Sequence, residues 1–152
     1  MRFDDVVTKE GYSKLKEELD KLKKGRPQIA QKISKAREQG DLSENAAYKS
    51  ARERQSFVEG RITELEGILK GARVVEHSGG CEKIGVGCRV KARSDDKIQE
   101  FHIVGVLEAD PGGGKISYES PLGKRLVGRT VGDRVTIEAP AGKIVYTIEE
   151  ID

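Results

Sequence analysis

The chain has 152 residues, and its hydrophobic and charged fractions are both 36%. A typical globular domain has roughly 25% charged residues, so this composition suits one ordinary domain or two small ones and excludes a single large core. The net charge of +2 lacks the strong basic excess that is typical of duplex DNA binders. No long apolar run follows the N-terminus, so we expect no signal peptide, no membrane span and a cytoplasmic location.

The composition changes near residue 75, and this change predicts two domains. Glycine is sparse before that point, where lysine, glutamate, leucine, isoleucine and alanine dominate. After it, alternating valine and isoleucine are interrupted by glycine and proline, which is typical of strands joined by turns. We therefore predict an α+β protein with a helical hairpin at 1–76, a linker at 77–82 and a globular domain at 83–152.

Two apolar series in the first half, with alternating three- and four-residue spacing, predict two long helices. Thr8 is a suitable N-cap for the first helix, and a short polar turn around Gly40 separates the two. Helices joined by such a short turn run antiparallel, and their apolar positions match in register from end to end. This pattern predicts an antiparallel coiled-coil hairpin. Pro27 lies inside the first helix, where we expect a bend and not a break. Arg26 is the one polar residue in the first apolar series.

The tip of this hairpin, residues 40–45, carries two carboxylates three positions apart. Asp41 and Glu44 match a capping box, in which Asp41 is the N-cap of the second helix and Glu44 is its N3 residue. The same pair at the end of a long arm also suits a functional site, because Mg²⁺ accepts one or two protein carboxylates. Two carboxylates alone hold Mg²⁺ weakly, so they would complete a site that already contains one metal ion. Both interpretations remain open from these residues.

Basic residues flank the tip on both helices. Tyr48 lies between them in sequence and fits the second apolar series, which favours packing over base stacking for its ring. Basic side chains on the outer positions of a coiled coil are usually solvated or paired with neighbouring acids, here Glu38 and Glu53. The alternative is a patch that contacts an RNA backbone beside the carboxylates. The basic residues are Lys32, Lys35, Arg37, Lys49, Arg52 and Arg54.

Five short strands and one short helix are predicted in the second half. Turn-forming residues separate the strands by hairpin-length links, so we expect an antiparallel sheet. The predicted strands are Val86–Arg93, Gln99–Leu107, Lys115–Glu119, Arg134–Ala139 and Ile144–Ile151, and the predicted helix is Pro121–Val127.

Cys81 and Cys88 are the two cysteines of the chain, which is too few for a disulfide framework. In a reducing compartment both would be thiols. Together with His77 and His102 they form a conceivable zinc set, but the spacing lacks the close ligand pairs of known zinc sites. We therefore expect small structural residues in a strand and a loop, and no metal.

Residues 36–48, AREQGDLSENAAY, strongly resemble the tip motif of the GreA branch of the Gre family of transcript-cleavage factors. The similarity continues through 51–55 and 59–62 and returns at 120–124 and 128–133, so it spans nearly the whole chain. Leu42 favours the GreA branch, since the GreB branch usually has a basic residue there. Ala47 departs from the family, whose members commonly have an acidic residue at that position.

The resemblance implies an N-terminal coiled coil and an FKBP-like globular domain in a monomer that is not itself an enzyme. In this family the globular domain docks on RNA polymerase, and the coiled coil passes through the secondary channel to the active centre. There, residues matching Asp41 and Glu44 help to place a second Mg²⁺ and its water, and the polymerase cleaves the 3′ end of its backtracked RNA. The metal is shared with the polymerase and is not bound by the free protein. Arg37 and Arg52 match positions attributed to the basic patch that contacts the RNA.

Two other classes of protein remain as alternatives. One is a regulator or inhibitor that occupies the polymerase channel without stimulating cleavage, although the retained Asp41 and Glu44 argue for stimulation. The other is an FKBP-like peptidyl-prolyl isomerase. An aromatic content of 5% leaves little material for an aromatic-walled proline pocket, which argues against the isomerase.

Overall fold

The computed structural model describes residues 6–40, 45–77 and 79–152, which form an α+β structure. Within these residues the chain divides into two compact units, one formed by Ser13–Gly71 and the other by 6–12 together with Ala72–Asp152. None of the helices in the described ranges is long and apolar enough to cross a membrane. The elements in chain order are β1 (Val6–Thr8), α1 (Lys9–Lys24), α2 (Arg26–Glu38), α3 (Ala46–Gly71), β2 (Arg73–Val75), β3 (Arg89–Ser94), β4 (Lys97–Val104), β5 (Lys115–Ser117), α4 (Pro121–Leu126), β6 (Arg134–Ala139) and β7 (Gly142–Ile151).

The first unit is the predicted helical hairpin, in which α2 packs against α3. Its core is built from the predicted apolar series, so the coiled-coil prediction is confirmed. The core residues are Leu19, Val58, Ile62 and Leu65, with Leu15, Leu22, Ile29 and Leu69 packed against them. Around this core, Arg61 links the two sides of the hairpin by donating through Nε to Glu18 of α1 at 2.8 Å, and it also donates through Nη1 to Glu64 of its own helix at 2.8 Å.

The first arm of the hairpin bends at the predicted place. A single residue, Gly25, separates α1 from α2, and Pro27 lies in the first turn of α2, where it has no N–H to donate to the carbonyl four residues earlier. Helical hydrogen bonds continue on both sides, since the Gly25 N–H donates to the Lys21 carbonyl at 3.1 Å and the Ile29 N–H donates to the Gly25 carbonyl at 3.3 Å. The one helix predicted there is therefore two segments joined by a bend.

The second unit contains a five-stranded sheet in the order β5-β4-β3-β7-β6. Three of its strand pairs are antiparallel as predicted, but β4 and β5 are parallel. The wholly antiparallel sheet predicted from the sequence is therefore wrong, because the chain makes two 3₁₀ turns, Val106–Glu108 and Pro111–Gly113, before it enters β5. The bounds predicted for β6 match those observed. Buried residues of this core are Ile84, Val90, Ala92, Phe101, Ile103, Ile116, Leu126, Val135, Tyr146 and Ile148.

The short helix predicted after β5 is confirmed as α4. The Ser120 side chain caps it by accepting the N–H of Gly123 at 3.0 Å. Gly123 itself is buried, and a Cβ at this position would lie 1.9 Å from the Ser117 carbonyl oxygen. The close approach of α4 to the end of β5 therefore requires a glycine here.

The segment before α1 belongs to the second unit, because β1 pairs in parallel with β2. Thr8 caps α1 as predicted, since its Oγ1 accepts the N–H of Gly11 at 3.1 Å. The Glu108 carboxylate accepts hydrogen bonds from the Thr8 backbone N–H at 2.8 Å and from the Thr8 hydroxyl. These long-range contacts set unit boundaries that differ from the predicted domains 1–76 and 83–152, and they put the predicted linker 77–82 inside the second unit.

Candidate functional site at the hairpin tip

The helix that leads to the tip ends in a glycine turn. The Gln39 N–H donates to the Ala36 carbonyl at 3.2 Å, and Gly40 follows with a φ of 121°, a left-handed value that favours glycine. The next described residue is Asn45. Asp41 and Glu44, the two predicted site carboxylates, lie outside the described residues, so their predicted role remains a prediction.

The N-cap of α3 is Asn45. Its Oδ1 accepts the N–H of Tyr48 at 3.0 Å, which is the N-cap to N3 hydrogen bond, and the helix begins at Ala46. The capping box with Asp41 as N-cap is therefore wrong, because the helix starts four residues later than that interpretation requires. Asparagine directly before a helix-forming Ala-Ala pair was the sequence signal for this cap.

The same Asn45 side chain connects the two helices across the turn. Its Nδ2 donates to the Ala36 carbonyl at 2.5 Å, so one carbonyl at the end of α2 accepts from both Gln39 and Asn45. Asn45 thus uses its acceptor for α3 and its donor for α2. Asn45 therefore ties the end of α2 to the start of α3, and the two carboxylates lie between these helix ends in sequence.

Arg37 and Arg52, the predicted RNA-binding residues, are both exposed. The Arg37 guanidinium lies over the Tyr48 ring, 5.9 Å from its centroid, in a cation–π contact. Arg52 donates to the Gln55 side chain at 2.7 Å. In the described part of the hairpin, neither arginine forms an ion pair with Glu38 or Glu53. Such pairing was one of the two forms expected of ordinary basic residues on a coiled-coil surface. Tyr48 is half-buried, as expected of a seam residue.

The described surface next to the tip is strongly basic. Residues 32–40 and 45–54 contain six lysines and arginines against two glutamates, and all eight of these side chains are exposed. A local excess of this size attracts a polyanion even though the whole chain is nearly neutral. This part of the hairpin surface therefore carries a local excess of positive charge.

Outside the tip, the structure brings together three of the four residues of the disfavoured zinc set. Cys81 and Cys88 form a disulfide, so the prediction of two free thiols is wrong for this structure. Cys81 Sγ also lies 3.5 Å from Nδ1 of His77. Folding makes neighbours of residues whose spacing along the chain gave no such signal.

Comparison with known proteins assigns the chain to a family. Residues 5–74 match the family described as "Transcription elongation factor, N-terminal", and residues 79–152 match "Transcription elongation factor, GreA/GreB, C-term". A protein named Transcription elongation factor GreA from Thermodesulfovibrio yellowstonii is 51% identical over 149 residues, covering 95% of this chain and 94% of that protein. A protein of the same name from Thermoanaerobacter pseudethanolicus is 47% identical over 150 residues, covering 96% of each.

Among solved structures, GreA factor homolog 1 (Gfh1) of Thermus thermophilus is similar at 28% identity and a TM-score of 0.44, with 97% of each chain covered. By class the chain is a transcription elongation factor, since both of its halves match families of that description. It belongs to the GreA/GreB family.

Proposed function

We propose that this protein stimulates RNA polymerase to cleave backtracked transcripts, and that Asp41 and Glu44 act at the hairpin tip inside the polymerase secondary channel. The family membership supports an elongation factor with RNA polymerase as its partner. The observation that supports a functional role for the carboxylates is the Asn45 cap. Because Asn45 caps α3, the helix does not require Asp41 or Glu44 at its N-terminus. The proposal implies a monomer that works in the cytoplasm and is not itself the nuclease.

The hairpin has the dimensions for such a task. Its helix α3 has 26 residues, which corresponds to about 39 Å at 1.5 Å per residue. A slender arm of this length buries little apolar surface for its size, so its length is better explained by reach than by stability. The bonds of Asn45 to both helices hold the end of the arm together where the carboxylates would act.

The donor set at the tip fits Mg²⁺. Asp41 and Glu44 would supply two hard oxygen ligands, and carboxylates of the polymerase and phosphates of the RNA would supply the others. When bound, this ion orients and activates the attacking water for phosphodiester hydrolysis. The chain itself brings negative charge to the ion and positive charge to the RNA, the latter through Arg37 and Arg52.

A transcript-cleavage assay tests the proposal. A stalled, backtracked elongation complex is incubated with the protein, and shortened RNA is measured over time. We expect stimulation by the parent protein and none by Asp41→Ala or Glu44→Ala, while polymerase affinity changes little. Glu38→Gln is the matched control, because Glu38 is an exposed carboxylate at the end of α2 whose removal should leave stimulation intact.

Two results would contradict the proposal. Full stimulation by both single tip variants would remove Asp41 and Glu44 from the mechanism. Tight binding of the parent protein to polymerase with no RNA shortening would favour the alternative of a channel-occupying inhibitor.

A further inference from the structure

Three side chains that can ligate a metal converge in the second unit: His77, Cys81 and Cys88. One ligand atom from each lies within 4.8 Å of the others, and Cys81 Sγ is 3.5 Å from Nδ1 and 3.8 Å from Nε2 of His77. In a tetrahedral zinc site with bonds of about 2.3 Å to sulfur and about 2.0 Å to nitrogen, sulfur and nitrogen ligands lie about 3.5 Å apart. His77 and Cys81 therefore already have the spacing of two ligands on one ion.

A glycine turn brings Cys88 into this cluster. Gly87 has a φ of 96°, and a Cβ on it would lie 2.9 Å from the Cβ of His77, so only glycine lets His77 pack this closely. The Gly85 N–H points at Cys88 Sγ over 3.4 Å, and the Cys88 N–H donates to the Gly85 carbonyl at 3.1 Å. Cys88 is therefore held in place by its own turn.

An open cavity of about 220 Å³ borders the cluster. His77, Gly79 and Gly87 form part of its wall, and polar side chains, with Glu10 and His102 among them, form the remainder. Among the described residues no fourth His, Cys, Asp or Glu comes close enough to join the three ligands. A metal held here would therefore keep one position open to water from the cavity.

We propose that the reduced protein binds one Zn²⁺ through the thiolates of Cys81 and Cys88 and the imidazole of His77, with water as the fourth ligand. Reduction by a dithiol breaks the Cys81–Cys88 bond, adds two electrons and two protons to the sulfurs, and converts the dithiol into its own disulfide. Zn²⁺ then displaces the two thiol protons. The site is thus open to metal only in the reduced protein.

The sulfurs must separate to about 3.8 Å to ligate one zinc ion. Cys88 is 4% exposed and held by its turn, so the movement falls to Cys81. Cys81 is half-buried and follows Gly79 and Gly80, whose φ values of 80° and 71° mark a backbone free of side-chain constraint. We therefore expect Cys81 to move and Cys88 to stay in place when the metal binds.

The test uses the full chain, reduced with a phosphine under anaerobic conditions and then freed of the phosphine. Zn²⁺ is titrated in competition with a chromophoric chelator, and Co²⁺ replaces it for absorption spectroscopy. We expect one equivalent of Zn²⁺ per chain, a thiolate-to-cobalt charge-transfer band, and no comparable binding by the oxidised protein. His77→Ala and Cys81→Ser, which alter exposed and half-buried positions, should each weaken the affinity at least about tenfold.

His102→Gln is the matched control, because His102 lines the same cavity but is outside the three-ligand cluster, and its affinity should equal that of the parent. Absence of stoichiometric binding by the reduced protein would overturn the proposal. So would equal binding by the oxidised form, a cobalt spectrum without a thiolate band, or His77→Ala and Cys81→Ser variants that bind like the parent. A loss in His102→Gln as large as that in His77→Ala would overturn the assigned ligand set. None of these outcomes depends on transcript cleavage.

Discussion

Asn45 donates from Nδ2 to the Ala36 carbonyl at 2.5 Å, and so joins the start of one helix to the end of the other across the hairpin tip. Its Oδ1 at the same time caps α3. Asn45→Ala removes both bonds and should lower the free energy of unfolding of the hairpin by about 1–2 kcal/mol, as loss of a helix cap usually does. We also expect weaker transcript cleavage at unchanged polymerase affinity, because the ends that carry the carboxylates are no longer tied together.

Asn45→Asp separates the two bonds, since it keeps an acceptor for the Tyr48 N–H and loses the donor to Ala36. Thermal unfolding and cleavage rate should be measured for both variants, with Ser50→Ala as a control on the exposed surface of α3. We expect Asn45→Asp to retain most of the stability and to lose cleavage activity. Equal cleavage by all the variants would mean that the tie across the tip has no part in function.

The two exposed arginines beside the tip give a second prediction. Arg37→Ala with Arg52→Ala should slow cleavage of deeply backtracked complexes more than it weakens docking, because these residues would contact extruded RNA. Contacts to phosphate release counterions, so the advantage of the parent protein should shrink as salt rises. Cleavage rates are compared at several salt concentrations.

Lys14→Ala with Lys16→Ala is the control for this pair, since it removes the same charge from exposed positions of α1. If the two double variants behave alike at low salt, Arg37 and Arg52 act only through net charge.

The metal requirement of the tip gives a third prediction. Free protein should bind Mg²⁺ at Asp41 and Glu44 only weakly, on the order of millimolar or poorer, because two carboxylates replace few of the waters that Mg²⁺ holds tightly. Calorimetric titration with Mg²⁺ measures this directly. Micromolar, stoichiometric binding that disappears in Asp41→Ala would mean that the metal arrives with the factor.

The anchoring of β1 gives a fourth prediction. Glu108 accepts from the backbone N–H and the hydroxyl of Thr8, a residue that is only 2% exposed, and from the Gly105 N–H at 3.2 Å. Glu108→Ala leaves these donors unpaired and should lower the free energy of unfolding by about 1–3 kcal/mol. Denaturant unfolding gives the value, and Glu138→Ala, at an exposed position of β6, should change it far less. A loss of the same size in both variants would show that the contacts of Glu108 contribute nothing specific.

The coiled-coil hairpin and most of the strands were predictable because they depend on local periodicity. Apolar residues three and four positions apart, such as Leu15 and Leu19 facing Leu65 and Leu69, can be buried together only on one face of a helix pair. The same reasoning placed the strand Arg134–Ala139 and the Thr8 cap. The tip motif also predicted Asp41 and Glu44 as the site carboxylates.

The sequence by itself determined which faces of the helices and strands are buried, since that follows from the spacing of apolar residues along each element. Only the tertiary structure decided how distant segments meet: the parallel pairing of β4 with β5, the contact of Thr8 with Glu108, and the cluster of His77, Cys81 and Cys88. It also decided that Asn45, and not Asp41, caps α3. Both are acceptable capping residues, and Asn45 is the one that also bonds to Ala36 across the hairpin. The long-range contacts depend on how the whole chain closes on itself, and no local pattern of residues encodes them, whereas the Asn45 cap also has a local signal in the asparagine that precedes Ala46.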